Sequence, residues 1–520
     1  MAQWDEGYVT DVAYTSNFYR EITPSWLAMT SLLLGHRPPN LAKPFNYADL
    51  GCGNGFTALS VAAGCPHAEV WGFDFNPAHV EFANDLAARA GLANVRFVET
   101  SFAALEALPN AALPDFDLMV SHGVLSWISP ANRGHLIGTV AKRLKPGGLA
   151  YLSYNVTTGW SSMVPIRALM RKLSAASPER TDAAVPAVLD FVDRLKQAGA
   201  VYFLAHPTLE NRLADIRKQD ARYIAHEYLN HDWHPLMFAD IAGEMLEAKC
   251  RYIGSATLAE NIDTVAVPAN VAPMLGETRD PVLRETLRDI GCAQTFRRDL
   301  YRKGIAPLHA AEQQALLGDL TLVHTGLAVP EGGATFATPI GSVTGRAEVY
   351  QPLLAMLDAG PLSIRQAREM PAFSGRPLVE LLQAFTLLAS GGYAHPLLPQ
   401  GGTAAGHETA RRLNLAIAAA NADGADMPRL AAPAIGSAVG IDLLETLVVA
   451  DLLAGKPPDV DGLAANVSGM LARSGRNVQR EGKPVTDLAE TRQIVTDLVR
   501  RTIEVRLPIL RGLGVLGASA

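Results

Sequence analysis

Asp49-Leu50-Gly51-Cys52-Gly53-Asn54-Gly55 is the stretch on which the fold of this chain turns. Tyr47 and Ala48 precede it and complete a short strand pattern, and Phe56 opens a helical one. Glycines between a strand and a helix allow a tight turn and let a ligand approach the backbone, where the free N–H groups of the helix start can meet it. The same alternation continues outward. Strands are predicted at 69–74, 95–98 and 116–121, and Pro146-Gly147-Gly148 turns a helix into a fifth strand at 149–154. Repeated strand–helix units predict a parallel sheet with helices on both faces, a Rossmann-like α/β fold.

Nicotinamide enzymes use a related loop, so the glycines alone do not choose a cofactor. Two carboxylates do. Asp49 lies inside the first strand, placed to orient the loop and a methionine ammonium. Asp74 ends the second strand, followed by Phe75, where a carboxylate can accept both hydroxyls of a ribose. A dinucleotide loop also wants its third glycine one residue later, where this chain has Phe56. The constellation predicts S-adenosylmethionine as cofactor, held by Asp49, Gly51, Cys52, Gly53, Asp74 and Phe75, with Ser121 beside them. At the adenine end the corresponding segment is Glu99-Thr100-Ser101-Phe102. Ser101 can hydrogen-bond and Phe102 can stack, but the usual carboxylate is missing.

Methyl transfer from a sulfonium needs alignment, exclusion of water and an available lone pair on the acceptor. The carboxyl ends of strands four and five face that point in a doubly wound sheet. His122 is either a proton acceptor there or a structural histidine, and Trp127 either walls the pocket or packs. Tyr154 and Asn155 either line the acceptor pocket or cap a loop. Tyr14 and Tyr19, upstream, belong to an aromatic arm that covers the cofactor or simply packs. His226-Glu227-Tyr228-Leu229-Asn230-His231-Asp232-Trp233-His234 is the densest titratable cluster, but an HExxH zinc motif would need His at position 230. It reads as a lid over the acceptor pocket, with no metal expected.

The 520 residues are too many for one core, so several domains are expected. The catalytic unit is expected over 1–305, with a helical lid or dimerisation insertion at about 160–245. Two further strands are expected after that insertion, at 250–258 and 293–301. A winged-helix-like middle domain is expected over 306–400 and a mostly helical C-terminal domain over 401–520. The net charge of −7 and pI near 6.0 argue against a nucleic-acid partner. Four scattered cysteines suit neither zinc nor a disulfide framework. No leader pattern opens the chain, and the apolar run 431–455 is broken by Asp442, Glu445 and Asp451, so it reads as a buried or amphipathic helix and no membrane span. The expected location is the cytoplasm.

These residues together resemble a bacterial family, the methyltransferases with a methyltransferase regulatory domain, which include lysine methyltransferases of rickettsial outer-membrane protein B. The segments that carry the resemblance are Tyr14 to Pro24, the Asp49–Gly55 loop, Ser121-His122-Gly123 with Ser126-Trp127, and Ser153-Tyr154-Asn155. Tyr223 to Leu229 and Phe296-Arg297-Arg298-Asp299-Leu300 add to it. The resemblance implies a dimerisation insert, a homodimer, and methylation of lysine amines of a protein substrate. If the acceptor is lysine, His122, Tyr154 or Glu227 is expected to help orient the amine. Alternatives are a small-molecule N- or O-methyltransferase and a cofactor-binding scaffold without turnover.

Overall fold

The computed structural model describes residues 18–304, 306–474, 478–480, 483–485 and 487–517. Its centre is a seven-stranded sheet made of β1 (Asn46–Leu50), β2 (Glu69–Asp74), β3 (Val95–Glu99), β4 (Phe116–Ser121), β5 (Leu144–Asn155), β6 (Cys250–Ser255) and β7 (Phe296–Lys303). The order is β3-β2-β1-β4-β5-β7-β6, and β7 runs antiparallel to both of its neighbours. The central strands are covered on both faces, which is why they read as near-continuous apolar runs. Strand order reverses between β1 and β4, so the carboxyl ends of these two strands diverge and leave a crevice.

The insertion leaves after β5 and returns beside it. Val156 and Leu236 form an isolated parallel bridge, in which the Leu236 N–H donates to the Asn155 carbonyl and the Leu236 carbonyl accepts from the Thr157 N–H. Its helices enclose an apolar core of their own, from Met163 to Leu229. The expected limit of 245 needs correction. The helix Phe238–Glu247 packs Ile241 and Met245 into the core of the main sheet, so the insertion closes near residue 236.

In the middle region β8 (Thr321–His324) is the central strand of a small sheet, between β11 (Leu362–Ser363) and β12 (Ala394–Pro396). The hairpin of β9 (Thr335–Thr338) and β10 (Gly341–Thr344) precedes the helix–strand–helix–helix–strand series expected of a winged helix. In the C-terminal region the run 431–455 is not one helix. Its first part closes a hairpin of β13 (Arg429–Ala432) and β14 (Ser437–Gly440), with Gly436 at φ 57°, before the helix Leu443–Leu453 begins. Pro433 and Gly436 are the local breakers that end the helical pattern there.

These regions are not packed as separate bodies. All nine residues of the helix Phe56–Gly64 are buried, and its outer face meets the helix Ala404–Ala422 and the β13–β14 hairpin. Gly64 sits so close to Gly436 that a Cβ on it would lie 3.1 Å from the Gly436 Cα. One continuous apolar core runs from the sheet through the middle region to Leu516. Among the described residues no helix is long and apolar enough to cross a membrane.

Candidate functional site

The crevice beside β1 and β4 deepens into a cleft of about 1140 Å³, its open mouth included. The glycine loop forms its floor. Gly51 has φ 80°, and a Cβ there would lie 2.5 Å from a Val124 methyl, so both conformation and space require glycine. Gly53 differs: φ is 53°, yet a Cβ would meet nothing within 4 Å, because this residue faces the open cleft. The loop is held by β2. The N–H groups of Gly51 and Cys52 donate to the Phe73 carbonyl, and that of Gly53 donates to Asp74 Oδ2 at 2.8 Å.

Asp74 is fixed from its other side as well. Its Oδ1 accepts from the Asn76 N–H at 3.0 Å and lies 3.2 Å from His79 Nδ1. Asp49 is buried under the loop, and among the described residues no hydrogen bond or ion pair satisfies its carboxylate. Burial, with the nearby Asp74 charge, pushes its pKa up to about 7. Phe75, Thr100, Ser101 and Phe102 line the next stretch of wall, and Ser101 also caps the helix Phe102–Ala107.

The opposite end of the cleft is walled by Tyr19, His122, Gly123, Val124, Trp127 and Asp232. Tyr19 stacks on His122 with ring centroids 3.6 Å apart. His122 Nδ1 and Tyr151 Oη are hydrogen-bonded at 2.7 Å, and Phe296 lies 5.8 Å from the same imidazole. Burial, reinforced by the Arg298 charge, holds the His122 pKa well below its ordinary value, so the ring is neutral at physiological pH. Behind Trp127 lies the insertion helix Ala221–Tyr228. The indole N–H of Trp127 donates to the Glu227 carbonyl at 3.5 Å, and burial pushes the Glu227 carboxyl up to about 7, opposed by the Asn155 amide.

Two expected site residues are elsewhere. Ser121 is fully buried, and its hydroxyl donates to the Leu50 carbonyl at 2.9 Å, tying β4 to β1. Tyr154 points to the far face of the sheet, where its hydroxyl donates to Asp299 Oδ2 at 2.6 Å within a buried network around Arg297. The strand period of two explains this: Tyr151 and Ser153 share the face that carries His122, and Tyr154 does not. Tyr14 lies outside the described residues. Gly51, Cys52, Gly53, Asp74, Phe75, Ser101, Phe102, His122, Tyr19 and Trp127 are brought together around the cleft, with Asp49 beneath its glycine loop and Asn155 and Glu227 behind Trp127. Missed from sequence were His79 and Tyr151. Parity along β5 would have pointed to Tyr151, and His79 had no local signal, while Asp232 belongs to the titratable segment expected over the acceptor pocket. His231 and His234 both face Asp232, at 3.6 and 3.2 Å.

Residues 48–148 match the model of a methyltransferase domain, and residues 220–303 match a predicted methyltransferase regulatory domain. The chain is 34% identical over 514 residues to the Synechocystis protein sll1526, covering 98% of this chain and 99% of that one. It belongs to this family of class I S-adenosylmethionine-dependent methyltransferases. It is also 26% identical to Rickettsia prowazekii RP789 over 302 residues, 57% of this chain and 52% of that protein. The structure of PKMT2 from Rickettsia typhi in complex with AdoHcy has the same fold, with TM-score 0.69 and 21% identity over 97% of this chain and 99% of that one. The cofactor of this methyltransferase is S-adenosylmethionine. Its cleft suits a cationic, ribose-bearing ligand: Gly53 leaves room at the floor, Asp74 reaches the wall, and among the described residues the Asp49 carboxyl buried under the loop has no partner.

Proposed function

We propose that this methyltransferase methylates lysine side-chain amines of a protein substrate. In this reading Asp49 meets the cofactor's ammonium, Asp74 its ribose, and Ser101 and Phe102 its adenine, while Tyr19, His122, Trp127 and Asp232 border the acceptor. The bound sulfonium supplies an electrophilic methyl group. The observation that carries the proposal is the chemistry of the acceptor wall, where a carboxylate, Asp232, stands with aromatic rings and an uncharged imidazole. Carboxylates and ring faces attract an ammonium group, and a neutral imidazole does not repel it. The ammonium must lose a proton before attack, since the lone pair is the nucleophile. Glu227, with its raised pKa, and the neutral His122 are the groups near enough to help hold or receive that proton. The family resemblance to lysine methyltransferases and the likeness to PKMT2 over nearly the whole chain support the same reading.

The acceptor is tested by incubating the protein with methyl-labelled cofactor and cell lysate, then hydrolysing the protein fraction. Label recovered as methyl-lysine is the expected result. Label confined to small molecules overturns the protein acceptor, and label on another residue overturns lysine.

A further inference from the structure

Within seven residues the chain ahead of the sheet is tied to three distant parts of the molecule. Arg20 donates from Nη1 to the Ala389 carbonyl at 3.1 Å and from Nη2 to the Ser390 carbonyl at 2.6 Å, at the end of the middle-region helix Leu378–Ser390. Ser25 Oγ donates to the Ile435 carbonyl in the β13–β14 turn at 2.6 Å. Trp26 Nε1 donates to the Ala256 carbonyl, just past β6, at 2.8 Å. The Arg20 guanidinium also lies over the Trp26 ring, 4.6 Å from its centroid, and pairs with Glu21 at 3.3 Å.

A helix C-terminus presents carbonyls without intrahelical donors and the negative end of its dipole, so a guanidinium there is well placed. Arg20 does not line the cleft, but its neighbour does. Tyr19 stacks on His122, and its N–H donates to Thr57 Oγ1 at 3.3 Å. We propose that Arg20 is a positioning residue: by clamping the end of the middle-region helix it fixes Tyr19 against His122, so that the middle region sets one wall of the cofactor cleft. The proposal rests on the cofactor-site reading above. A wall ordered before the ligand arrives raises affinity, because less has to be immobilised on binding.

The test is calorimetric titration of the full-length chain with S-adenosylhomocysteine, comparing Arg20→Ala, Arg20→Lys, Tyr19→Ala and the Arg20→Ala/Tyr19→Ala double variant. Arg20→Ala is expected to weaken binding about tenfold, within the usual range of coupling between sites. Lys keeps a donor for one carbonyl and is expected to recover part of the loss. The double variant is expected to bind no more weakly than Tyr19→Ala, since both changes remove one effect. The ring protons of His122 are expected to lose the Tyr19 ring-current shift in Arg20→Ala. Unchanged affinity, additive losses or an unmoved His122 signal overturns the proposal. If Arg20→Ala does not fold, Arg20→Lys decides by the same readings: no change in affinity or in the His122 signal overturns it. No binding by the unaltered chain overturns the cofactor reading itself, a separate result.

Discussion

Asp49 is kept in the folded chain at a cost. It holds its proton up to about pH 7, whereas an unfolded aspartate ionises near its ordinary value of about 3.9. Between those limits the folded state binds more protons than the unfolded one, so this group makes stability fall as pH rises, and the loss is complete above about pH 7. Asp49→Asn is therefore expected to raise the Tm at pH 8 and to leave it little changed below about pH 4. The same substitution is expected to weaken S-adenosylmethionine binding about tenfold or more, as the loss of a charged partner does. In the unaltered chain the affinity is expected to rise as pH passes upward through about 7, when Asp49 becomes available to a cation. Thermal melts and calorimetry across pH check both; a Tm at pH 8 that falls with Asn contradicts the assignment.

At the scale of elements, the glycine loop separates two uses of the same residue. Gly53→Ala places a methyl in the open cleft at φ 53°, where it strains the backbone and occupies the ligand's space. Gly55→Ala drives a Cβ to 2.4 Å from the Phe97 ring and 2.9 Å from Ala83. The expected outcome is that Gly53→Ala loses cofactor affinity with a small fall in Tm, while Gly55→Ala loses stability first; melts and titrations of both variants decide. That loop and the first five strands were legible in the sequence because their signals are local: turn glycines, strand-length apolar runs and a carboxylate at a strand end. Tyr154 was misplaced because its nearness to the carboxyl end of β5 was read without the strand's alternation, which puts Tyr151 and Ser153 on the His122 face and Tyr154 on the other. The segment around Asp232 was legible as a cluster of titratable groups, but which of its side chains reaches the cleft is set only by the fold. The run 431–455 looked helical because its breakers, Pro433 and Gly436, are few among many alanines.

For the whole molecule, one apolar core crosses the boundaries expected at 305 and 400. The helix Phe56–Gly64 carries part of the glycine-loop fold on one face and supports the C-terminal region on the other. Thr409 Oγ1 donates to the Ala63 carbonyl at 2.6 Å across that contact. A chain ending at residue 305 would expose this face, and it is expected to aggregate on size-exclusion chromatography where the full chain does not. A soluble fragment with full cofactor affinity would refute a shared core. No sequence pattern announced this, since it depends on contacts between residues hundreds of positions apart. The insertion behaves in the opposite way. Its two ends meet at Val156 and Leu236, and its apolar centre is closed on itself, so it is joined to the enzyme as a loop is joined to a hairpin. Such a junction is an exchangeable cassette: its length and surface can change while β5 and β6 each keep their pairing with β7, leaving the glycine loop and its strands where they are.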